Sequence, residues 1–326
     1  MTAAIPFAEI WRGPQLESVH LGHAVVMEAD GDILHAWGDP HLPILPRSSS
    51  KMIQALPLVE SGLADTLGLT DRHLALACAS HQGAPMHVDL AEAWLADIGL
   101  GDDHLRCGPQ PSRDETLAHG MIRAEETPRR VHNNCSGKHV GFLSLGQRLG
   151  GGPDYVDPDH PVQRAVFEAW GRMTGETPLG HGIDGCSAPN FVTHLEALAR
   201  AMARFAAAER DSPAGRLVRA MTAHPELVAG EGRACTALMR ALGGRAAVKT
   251  GAEGVFIAIV PERRLGIALK IADGATRAAE CAMAAILVKL GLLEPDDPAA
   301  LAYINAPIRN WDGLQTGWQR AAPPLL

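Results

Sequence analysis

The sequence predicts an α/β protein in which both ends of the chain contribute strands to one antiparallel sheet. Strand-like alternation is found within residues 20–39 and again within 245–274, whereas the chain between them is rich in Ala and Leu at helical spacing. A long final helix is predicted within residues 275–293. Strands of similar pattern at both ends, with helices between and after them, indicate a shared sheet packed against helices.

The predicted organisation is a single domain over residues 1–326. Its sheet part covers about 1–46 and 246–326, and its helical part covers about 47–245. A chain of this length is long enough to bury a sizeable core as one large α/β domain.

Three local features refine this prediction. The turn Ala29–Asp32 is expected to join the opening strands as a hairpin, because Asp-Gly is a strong turn signal. The helix that follows Ser48 is expected to be interrupted at Pro57. The terminal segment 306–321 is expected to add one more strand.

Composition and charge exclude several classes of protein. The 326 residues are 46% hydrophobic and 20% charged, and 29 Lys and Arg against 37 Asp and Glu give a net charge of −8. Nucleic acid is not an expected partner, because its binding needs a concentrated basic face. The first residues lack the pattern of a secretory signal, and the most apolar late stretch is interrupted by Lys289. We therefore expect a soluble, cytoplasmic protein without a membrane partner.

Six cysteines are spread along the chain without any C-x-x-C pair, so a disulfide framework is not expected. Two of them, Cys135 and Cys186, lie in polar segments that contain glycine. Three others lie in apolar helical surroundings and are predicted to be small core residues: Cys78, Cys235 and Cys281.

A serine and a lysine open the helix that follows the first strands. Ser48 and Lys51 are three residues apart, so their side chains share one face of a helix. A serine hydroxyl is a poor nucleophile until a neighbouring base removes its proton, and a lysine of lowered pKa can be that base. A solvated helix-capping serine is the alternative for this motif taken alone.

The first late strand carries Lys249, Thr250 and Gly251. Such a strand can present a cation to a substrate, and its glycine permits close backbone approach. An exposed strand lysine is the alternative. In the order strands, S-x-x-K helix, helical region and K-T-G strand, the chain resembles the serine β-lactamase and penicillin-binding-protein fold, which also houses one group of glutaminases.

A second serine lies in the segment Cys78–Gly83, where Ser80 precedes His81. In a site of this kind Ser80 can bridge the strand lysine to the nucleophile and relay protons. A serine that ends a helix before a turn is an equally good interpretation of these residues alone.

Two polar segments combine thiols with nitrogen and oxygen donors. His132–His139 contains Cys135 and Lys138, and Asp184–Pro189 contains Cys186. Sulfur ligands of this kind favour zinc. The Gly-Lys pair is not a phosphate loop, because the required glycine before it and Ser or Thr after it are missing. The spacing matches no common zinc motif, so two buried free thiols are the alternative.

Six segments together resemble the L-asparaginase II family of rhizobial type: RSSSK, CASHQG, CGPQPS, HNNCSGKHVGFL, DGCSAPNF and KTGAEGV. The resemblance runs from the opening strands through the last helix. It implies a serine β-lactamase-like fold, a homodimer, and hydrolysis of L-asparagine to L-aspartate and ammonia. It also implies two Ser–Lys pairs and a zinc ion (Zn2+) bound by two cysteines and a lysine.

Carried over by motif, Ser48 with Lys51 is the first catalytic pair, and Ser80 with Lys249 is the second. Lys270 is the less favoured second lysine, because Lys249 belongs to the K-T-G motif.

The metal ligands implied by the resemblance are Cys135, Lys138 and Cys186. Asp184 lies beside the last of them, as a fourth ligand or as a partner that holds Lys138. The zinc ion either polarises the amide carbonyl or anchors the α-amino or α-carboxylate group of the substrate, and we favour the second role.

The expected reaction is acyl transfer. Lys51 removes the proton of Ser48, and Ser48 attacks the side-chain amide carbon of asparagine. Backbone N–H groups of Ser48 and of the Gly251–Ala252 strand edge stabilise the oxyanion. Ser80 protonates the departing ammonia, and water hydrolyses the β-aspartyl ester. An alternative assignment makes Ser80 the nucleophile.

Other residues within or beside these motifs are predicted to contact the substrate, although each fits a loop hydrogen bond equally well: Arg47, His81, Asn133, Asn134, Gly251, Ala252 and Glu253. Three other functions remain as alternatives. They are a glutaminase or β-lactam hydrolase on the same fold, a non-catalytic zinc-binding protein, and a penicillin receptor that is acylated without turnover.

Overall fold

Strands lie at both ends of the chain and, as short pairs, near its middle. The structure is a computed structural model that describes residues 2–326. The strands are β1 (Ile5–Arg12), β2 (Gln15–Glu28), β3 (Ile33–Trp37), β4 (Pro43–Ile44), β5 (His181–Ile183), β6 (Pro189–Phe191), β7 (Thr193–His194), β8 (Ala247–Thr250), β9 (Val255–Val260), β10 (Leu265–Ile271), β11 (Asn305–Arg309) and β12 (Gln315–Ala321).

Helices fill most of the chain between these strands and also follow the late strands. None of the helices within residues 2–326 has the length and apolar character needed to cross a membrane. The helices are α1 (Lys51–Glu60), α2 (Leu63–Thr66), α3 (Asp71–Ala77), α4 (Pro85–Asp97), α5 (Glu115–Arg123), α6 (Ser136–Leu149), α7 (Pro161–Thr174), α8 (Leu195–Ala207), α9 (Pro213–Ala223), α10 (Pro225–Val228), α11 (Ala234–Ala241), α12 (Thr276–Lys289) and α13 (Pro298–Ile304).

Eight strands from both ends of the chain form one antiparallel sheet. Its order is β11-β12-β1-β2-β10-β9-β8, and β3 pairs with the far end of β2. The hairpin of β2 and β3 turns at Gly31, whose φ of 104° favours glycine, and the Glu28 N–H donates to the Asp32 carbonyl at 2.9 Å. The predicted α/β class, with a sheet built from both chain ends, is confirmed.

Two strand predictions were incomplete. Strand β1 was not predicted, although it pairs with both β2 and β12. The segment 306–321 forms most of two strands rather than one, because the Asn310 side chain accepts hydrogen bonds from the N–H groups of Asp312 and Leu314 and closes a turn between them.

The chain divides into two compact units. The sheet unit contains residues 1–49, 193–207 and 237–326, and the helical unit contains 50–192 and 208–236. Helix α8 therefore packs with the sheet, although its position in the sequence placed it in the predicted helical part.

Within the sheet unit, α8 lies directly against β10. A Cβ added at Gly266 would be 2.1 Å from the Ala203 nitrogen and 2.2 Å from the Ala199 carbonyl oxygen. Only glycine permits this approach of helix backbone to strand. Helix α12 packs against β1, β9 and β10, and α8 also packs against β9 and β10. Both helices thus cover β9, the strand that pairs with the K-T-G strand β8.

Within the helical unit, α1 packs against α6, α7 and α9. Residues 51–59 are all buried. The predicted interruption at Pro57 is wrong, because α1 continues to Glu60. The apolar burial along this helix offsets the backbone hydrogen bond that proline removes.

A second close approach positions α6. A Cβ at Gly137 would lie 2.4 Å from the Leu76 carbonyl oxygen of α3. Since Gly137 is flanked by Ser136 and Lys138, this contact fixes the beginning of α6, where the predicted metal ligands lie.

The substitution Gly266→Ala is expected to destabilise the protein, because the added methyl group overlaps the backbone of α8. Such overpacking costs about 1–3 kcal/mol. Gly171→Ala in α7 is the control, since its nearest neighbour would be the Glu176 carbonyl oxygen at 3.8 Å. Removing that helical glycine is expected to stabilise by about 0.5–1 kcal/mol. Urea unfolding measures both changes, and equal effects would contradict the close approach of α8.

Candidate active site

The turn that carries Ser48 lies against the end of the K-T-G strand, within the sheet unit. Ser48 is half-buried in the 3₁₀ turn Arg47–Ser50, which leads directly into α1. The Ser49 hydroxyl donates to the Pro46 carbonyl at 2.7 Å and holds the turn. A Cβ at Gly251 would lie 2.6 Å from that same carbonyl oxygen and 3.2 Å from the Ser49 nitrogen. The two motifs of the predicted site therefore adjoin through backbone contact.

The two candidate second lysines have different surroundings. Lys249 on β8 is fully buried, and its amine donates to the Thr250 carbonyl at 2.7 Å. Lys270 on β10 is half-buried, and its amine donates to the Glu253 carbonyl. Burial lowers the pKa of Lys270, and Glu253 opposes that shift. Of the two, Lys249 lies on the strand that reaches the Ser48 turn.

Lys270 instead lines a separate cavity of about 430 Å³ in the sheet unit. This cavity also includes His23, Ile44, Arg47 and Glu253, so two of the predicted substrate contacts face it. It presents two cationic side chains and one carboxylate at an otherwise largely apolar surface.

Backbone strain marks three residues of the predicted motifs. Arg47, Glu253 and Ser187 have φ values of 55°, 58° and 70°, in a region that residues other than glycine rarely adopt. Each lies within two residues of a predicted site residue: Ser48, Gly251 or Cys186. Such strain concentrates at functional sites, and no sequence pattern signals it.

Lys51 connects the loops of the helical unit. Its side chain is buried, and its amine donates to the Ala79 carbonyl and, at 3.3 Å, to the Asn134 carbonyl. Ala79 precedes Ser80, and Asn134 precedes Cys135. One lysine of α1 thus brings together the segments that contain the second predicted serine and the first predicted metal ligand.

The three predicted metal ligands are buried in one cluster of the helical unit. The Lys138 amine donates to the Cys186 sulfur at 3.1 Å, and the Cys135 thiol donates to the Asn134 side-chain oxygen at 2.9 Å. Hydrogen bonding between the thiols, together with the Lys138 charge, holds the pKa of Cys186 well below its usual value. The same thiol contact and burial raise the pKa of Cys135 to about 12. Burial lowers the pKa of Lys138, but the neighbouring sulfur charges outweigh it and the pKa is raised.

This cluster supplies two sulfur donors and one amine, a set that suits zinc. Within residues 2–326, no group of three or more His, Cys, Asp or Glu side chains is placed to hold a metal. Asp184 accepts a hydrogen bond from the Gly185 N–H at 2.6 Å, and its charge contributes to the raised pKa of Lys138. Its carboxylate is thus electrostatically linked to the cluster.

Three residues predicted as substrate contacts have structural hydrogen bonds. The His81 Nδ1 accepts from the Gly83 N–H at 3.1 Å, so its Nε2 donates to the Ser136 hydroxyl at 3.0 Å. Asn133 donates to the Cys107 carbonyl at 2.8 Å and accepts from the Cys135 N–H at 2.9 Å. Asn134 binds Lys51 and Cys135, as described above. These contacts shape the loops that carry Ser80 and the thiols.

A pair of stacked imidazoles lies beside this cluster. The His81 and His87 rings are 4.8 Å apart with planes 10° from parallel, and both side chains are fully buried. Burial lowers the pKa of both histidines. At His81, the charges of His87 and Lys51 lower the pKa further. The pair is therefore neutral in the folded protein.

A model of the L-asparaginase II family matches residues 8–321. Members of that family are amidohydrolases, enzymes that cleave the carbon–nitrogen bond of an amide. With this much of its length matched, the chain belongs to the L-asparaginase II family. The resemblance found in the sequence motifs is confirmed.

Solved structures give more distant likenesses. Mglu in its tris and glutamate form is 13% identical with a TM-score of 0.47, over 85% of this chain and 60% of the Mglu chain. A β-lactamase from Mycobacterium bovis is 17% identical with a TM-score of 0.46, over 82% and 94% of the two chains. A penicillin-binding protein homologue from Pyrococcus abyssi is 14% identical with a TM-score of 0.36, over 83% and 73%.

This chain thus spans three fifths of the length of Mglu. At such TM-scores the likenesses bear on neither substrate nor assembly. No curated protein matches the chain in sequence.

Acidification from pH 7 to pH 5 is expected to destabilise the protein. The pKa values of His81 and His87 are lowered in the fold, so an unfolded histidine, with a pKa near 6.5, takes up its proton at a higher pH than either folded one. The unfolded state then binds more protons, so the free energy of unfolding falls with pH, by at most about 1.4 kcal/mol per pH unit for each histidine.

Urea unfolding at pH 7, 6 and 5 measures this effect. His87→Phe keeps the ring and is expected to show a shallower pH dependence than the wild type. His119→Gln, on the exposed face of α5, is the control and should leave the slope unchanged. An unchanged slope in His87→Phe would mean that this histidine is protonated in the folded state.

Proposed function

We propose that this protein hydrolyses the side-chain amide of L-asparagine to L-aspartate and ammonia. Membership of the L-asparaginase II family supports the reaction class. The observation that carries the proposed chemistry is the contact of Gly251 with the turn that contains Ser48. This contact brings the end of the K-T-G strand to the side of a half-buried serine. The Gly251 N–H donates to the Val255 carbonyl at 2.7 Å, so the donor that this edge offers to an oxyanion is the N–H of Ala252.

In the proposed reaction Ser48 is the nucleophile. Lys51 takes the proton of the Ser48 hydroxyl, and the oxygen forms a bond to the side-chain amide carbon of asparagine. The N–H groups of Ser48 and of the Gly251–Ala252 edge stabilise the negative oxygen of the tetrahedral intermediate. Loss of the amide nitrogen then leaves a β-aspartyl ester on the serine.

Ser80 is proposed to give the departing nitrogen its proton, so that the leaving group is ammonia. Lys249 is assigned as the lysine of this second pair, in preference to Lys270. Water then attacks the ester carbon and gives its proton to Ser80. The ester bond breaks, Ser48 regains its proton from Lys51, and L-aspartate leaves. The alternative, in which Ser80 is the nucleophile, is tested by the serine variants below.

A zinc ion held by Cys135, Lys138 and Cys186 is a second part of the proposal, and Asp184 is a fourth ligand or a partner of Lys138. The buried donor set supports it, because two sulfurs and an amine converge there. When bound, zinc supplies Lewis acidity or an anchor for the polar groups of the substrate. Cytoplasmic location and a homodimer also remain proposals from the sequence.

Replacing Ser48 with Ala is expected to lower the rate of ammonia release from L-asparagine by about a thousandfold or more, because no acyl-enzyme can form. Ser80→Ala is expected to lower kcat by about 10²–10⁴, the usual loss for a proton-transfer group. Ser144→Ala is the control, since this buried serine of α6 only bonds the Val140 carbonyl.

The assay compares L-asparagine, L-glutamine and a chromogenic β-lactam with each protein. If ammonia release persists in Ser48→Ala but is lost in Ser80→Ala, Ser80 is the nucleophile. Preferred cleavage of glutamine or of the β-lactam would replace the asparaginase assignment by one of those activities. A protein that binds zinc but cleaves none of the three would be a non-catalytic zinc protein.

Cys135→Ser and Cys186→Ser are each expected to lose most of the zinc that the wild type retains after dialysis, about one ion per chain. Cys107→Ser is the matched control, because it is another buried thiol of the same unit that is not a proposed ligand. Since the thiol and ammonium groups must release protons to become ligands, zinc affinity is expected to fall as pH is lowered.

Metal analysis after dialysis at pH 8, 7 and 6 measures both effects. Zinc content that does not depend on the two cysteines, or that is the same at all three pH values, would contradict the proposed ligand set.

A further inference from the structure

The segment that carries Arg113 is attached to the predicted serine loop. The Ser112 hydroxyl donates to the Gln82 carbonyl at 2.5 Å, and the Gln82 side-chain amide donates to the Asp114 carboxylate at 3.2 Å. The Asp114 N–H also donates back to the Ser112 hydroxyl at 3.1 Å. Gln82 lies two residues after Ser80 and bonds both chain neighbours of Arg113. These bonds fix the backbone of Arg113 next to the Ser80 segment.

A second loop reaches the same glutamine from another part of the helical unit. A Cβ at Gly230 would lie 2.4 Å from the side-chain carbonyl carbon of Gln82, so only glycine fits there. The Ser80 N–H donates to the Val228 carbonyl at 2.8 Å, and the Arg233 N–H donates to the Gly230 carbonyl at 3.4 Å. The loop that carries Arg233 is therefore also fixed to the Ser80 segment.

The two arginines interact electrostatically, and within the described part of the chain neither guanidinium group binds an acidic side chain. Burial and the charge of Arg233 lower the pKa of Arg113, whereas Cys135 acts in the opposite direction. Arg113 is open to solvent at the same time, and Arg233 is half-buried. Across residues 2–326, neither guanidinium has a hydrogen bond or an ion pair.

This arrangement differs from that of other arginines of the chain. Arg219 binds Asp71 through two nitrogens at 3.0 and 3.1 Å, and Arg216 binds Asp65 at 2.8 and 3.1 Å. Two like charges that act on each other without a carboxylate beside them repel, and a bound anion removes that repulsion. The fork of each guanidinium matches the two oxygens of a carboxylate.

We propose that Arg113 and Arg233 bind the α-carboxylate of the amino-acid substrate, beside Ser80 and the thiol cluster. This inference rests on the proposed function and narrows its substrate class. The substrate is a free amino acid, or a residue at the carboxyl end of a peptide, because an internal asparagine has no α-carboxylate.

The test measures kcat and KM for L-asparagine and for L-asparagine α-amide, which has no α-carboxylate. Arg113→Gln and Arg233→Gln are each expected to raise KM for L-asparagine about tenfold or more, with a smaller change in kcat. The preference of the wild type for L-asparagine over its α-amide should fall by the same factor. Arg113→Lys is expected to recover part of the loss, because it keeps the charge but not the fork.

Arg123→Gln is the control, since this exposed arginine at the end of α5 is outside both loops. If the wild type hydrolyses L-asparagine and the two variants keep the KM of this control, the arginine pair is not the carboxylate site, although the asparaginase assignment stands. The same conclusion follows if kcat/KM of the variants falls by the same factor for L-asparagine and for its α-amide.

Calorimetric binding of L-aspartate separates this inference from the hydrolytic function. Binding by the wild type that weakens about tenfold in each variant supports the carboxylate site even if no hydrolysis occurs. L-Aspartate that binds the wild type and both variants equally, or does not bind at all, overturns it.

Discussion

The buried amine of Lys51 is the interaction on which the helical unit depends. An amine removed from water must have hydrogen-bond acceptors, and here the carbonyl groups of Ala79 and Asn134 supply them. These two carbonyls belong to loops far apart in the sequence. Their common donor fixes the backbone next to Ser80 and next to Cys135, so the geometry of both loops depends on one side chain of α1.

Around that amine, loop positions are set by polar side chains rather than by apolar packing. Asn133 bonds the backbone of Cys107 and Cys135. The Gln82 carbonyl accepts a hydrogen bond from the Ser112 hydroxyl, and the Gln82 side chain donates to the Asp114 carboxylate. A buried loop has backbone groups that no helix or strand satisfies, and these amides satisfy them. Glycines 137 and 230 then permit approaches that any side chain would prevent.

The sequence predicted those parts of the structure that local patterns encode. Alternating residues and an Asp-Gly turn predicted β2, β3 and β8 to β10, and motif order predicted that the K-T-G strand would belong with the Ser48 turn. Tertiary burial overrode the local signal at Pro57, which lies inside a helix. Strand β1 escaped prediction because its pairing with β2 shifts register at Pro6 and again at Ile10, so its residues do not alternate regularly.

The arginine pair could not be predicted for a similar reason. Arg113 and Arg233 belong to two loops with no shared motif, and each alone has the sequence context of an ordinary surface residue. Their proximity follows from two loops that both contact Gln82, and that contact depends on hydrogen bonds and on a glycine far along the chain. By contrast, the thiols and the Ser–Lys motifs are recognisable from residue type alone, although their roles are not.

The pairing of β1 with β12 also constrains how the chain can fold during its synthesis. Ala8 lies opposite Ala321, so β1 has to wait for a partner strand that is synthesised much later. Until then the edge of β1 that faces β12 has unpaired N–H and C=O groups, a surface on which other chains can add strands. Pairing of β1 with β12 is also slow, because the chain between them must lose conformational entropy before any stabilising contact between the two strands forms. The nascent protein therefore has a long period in which shielding by a chaperone improves its yield.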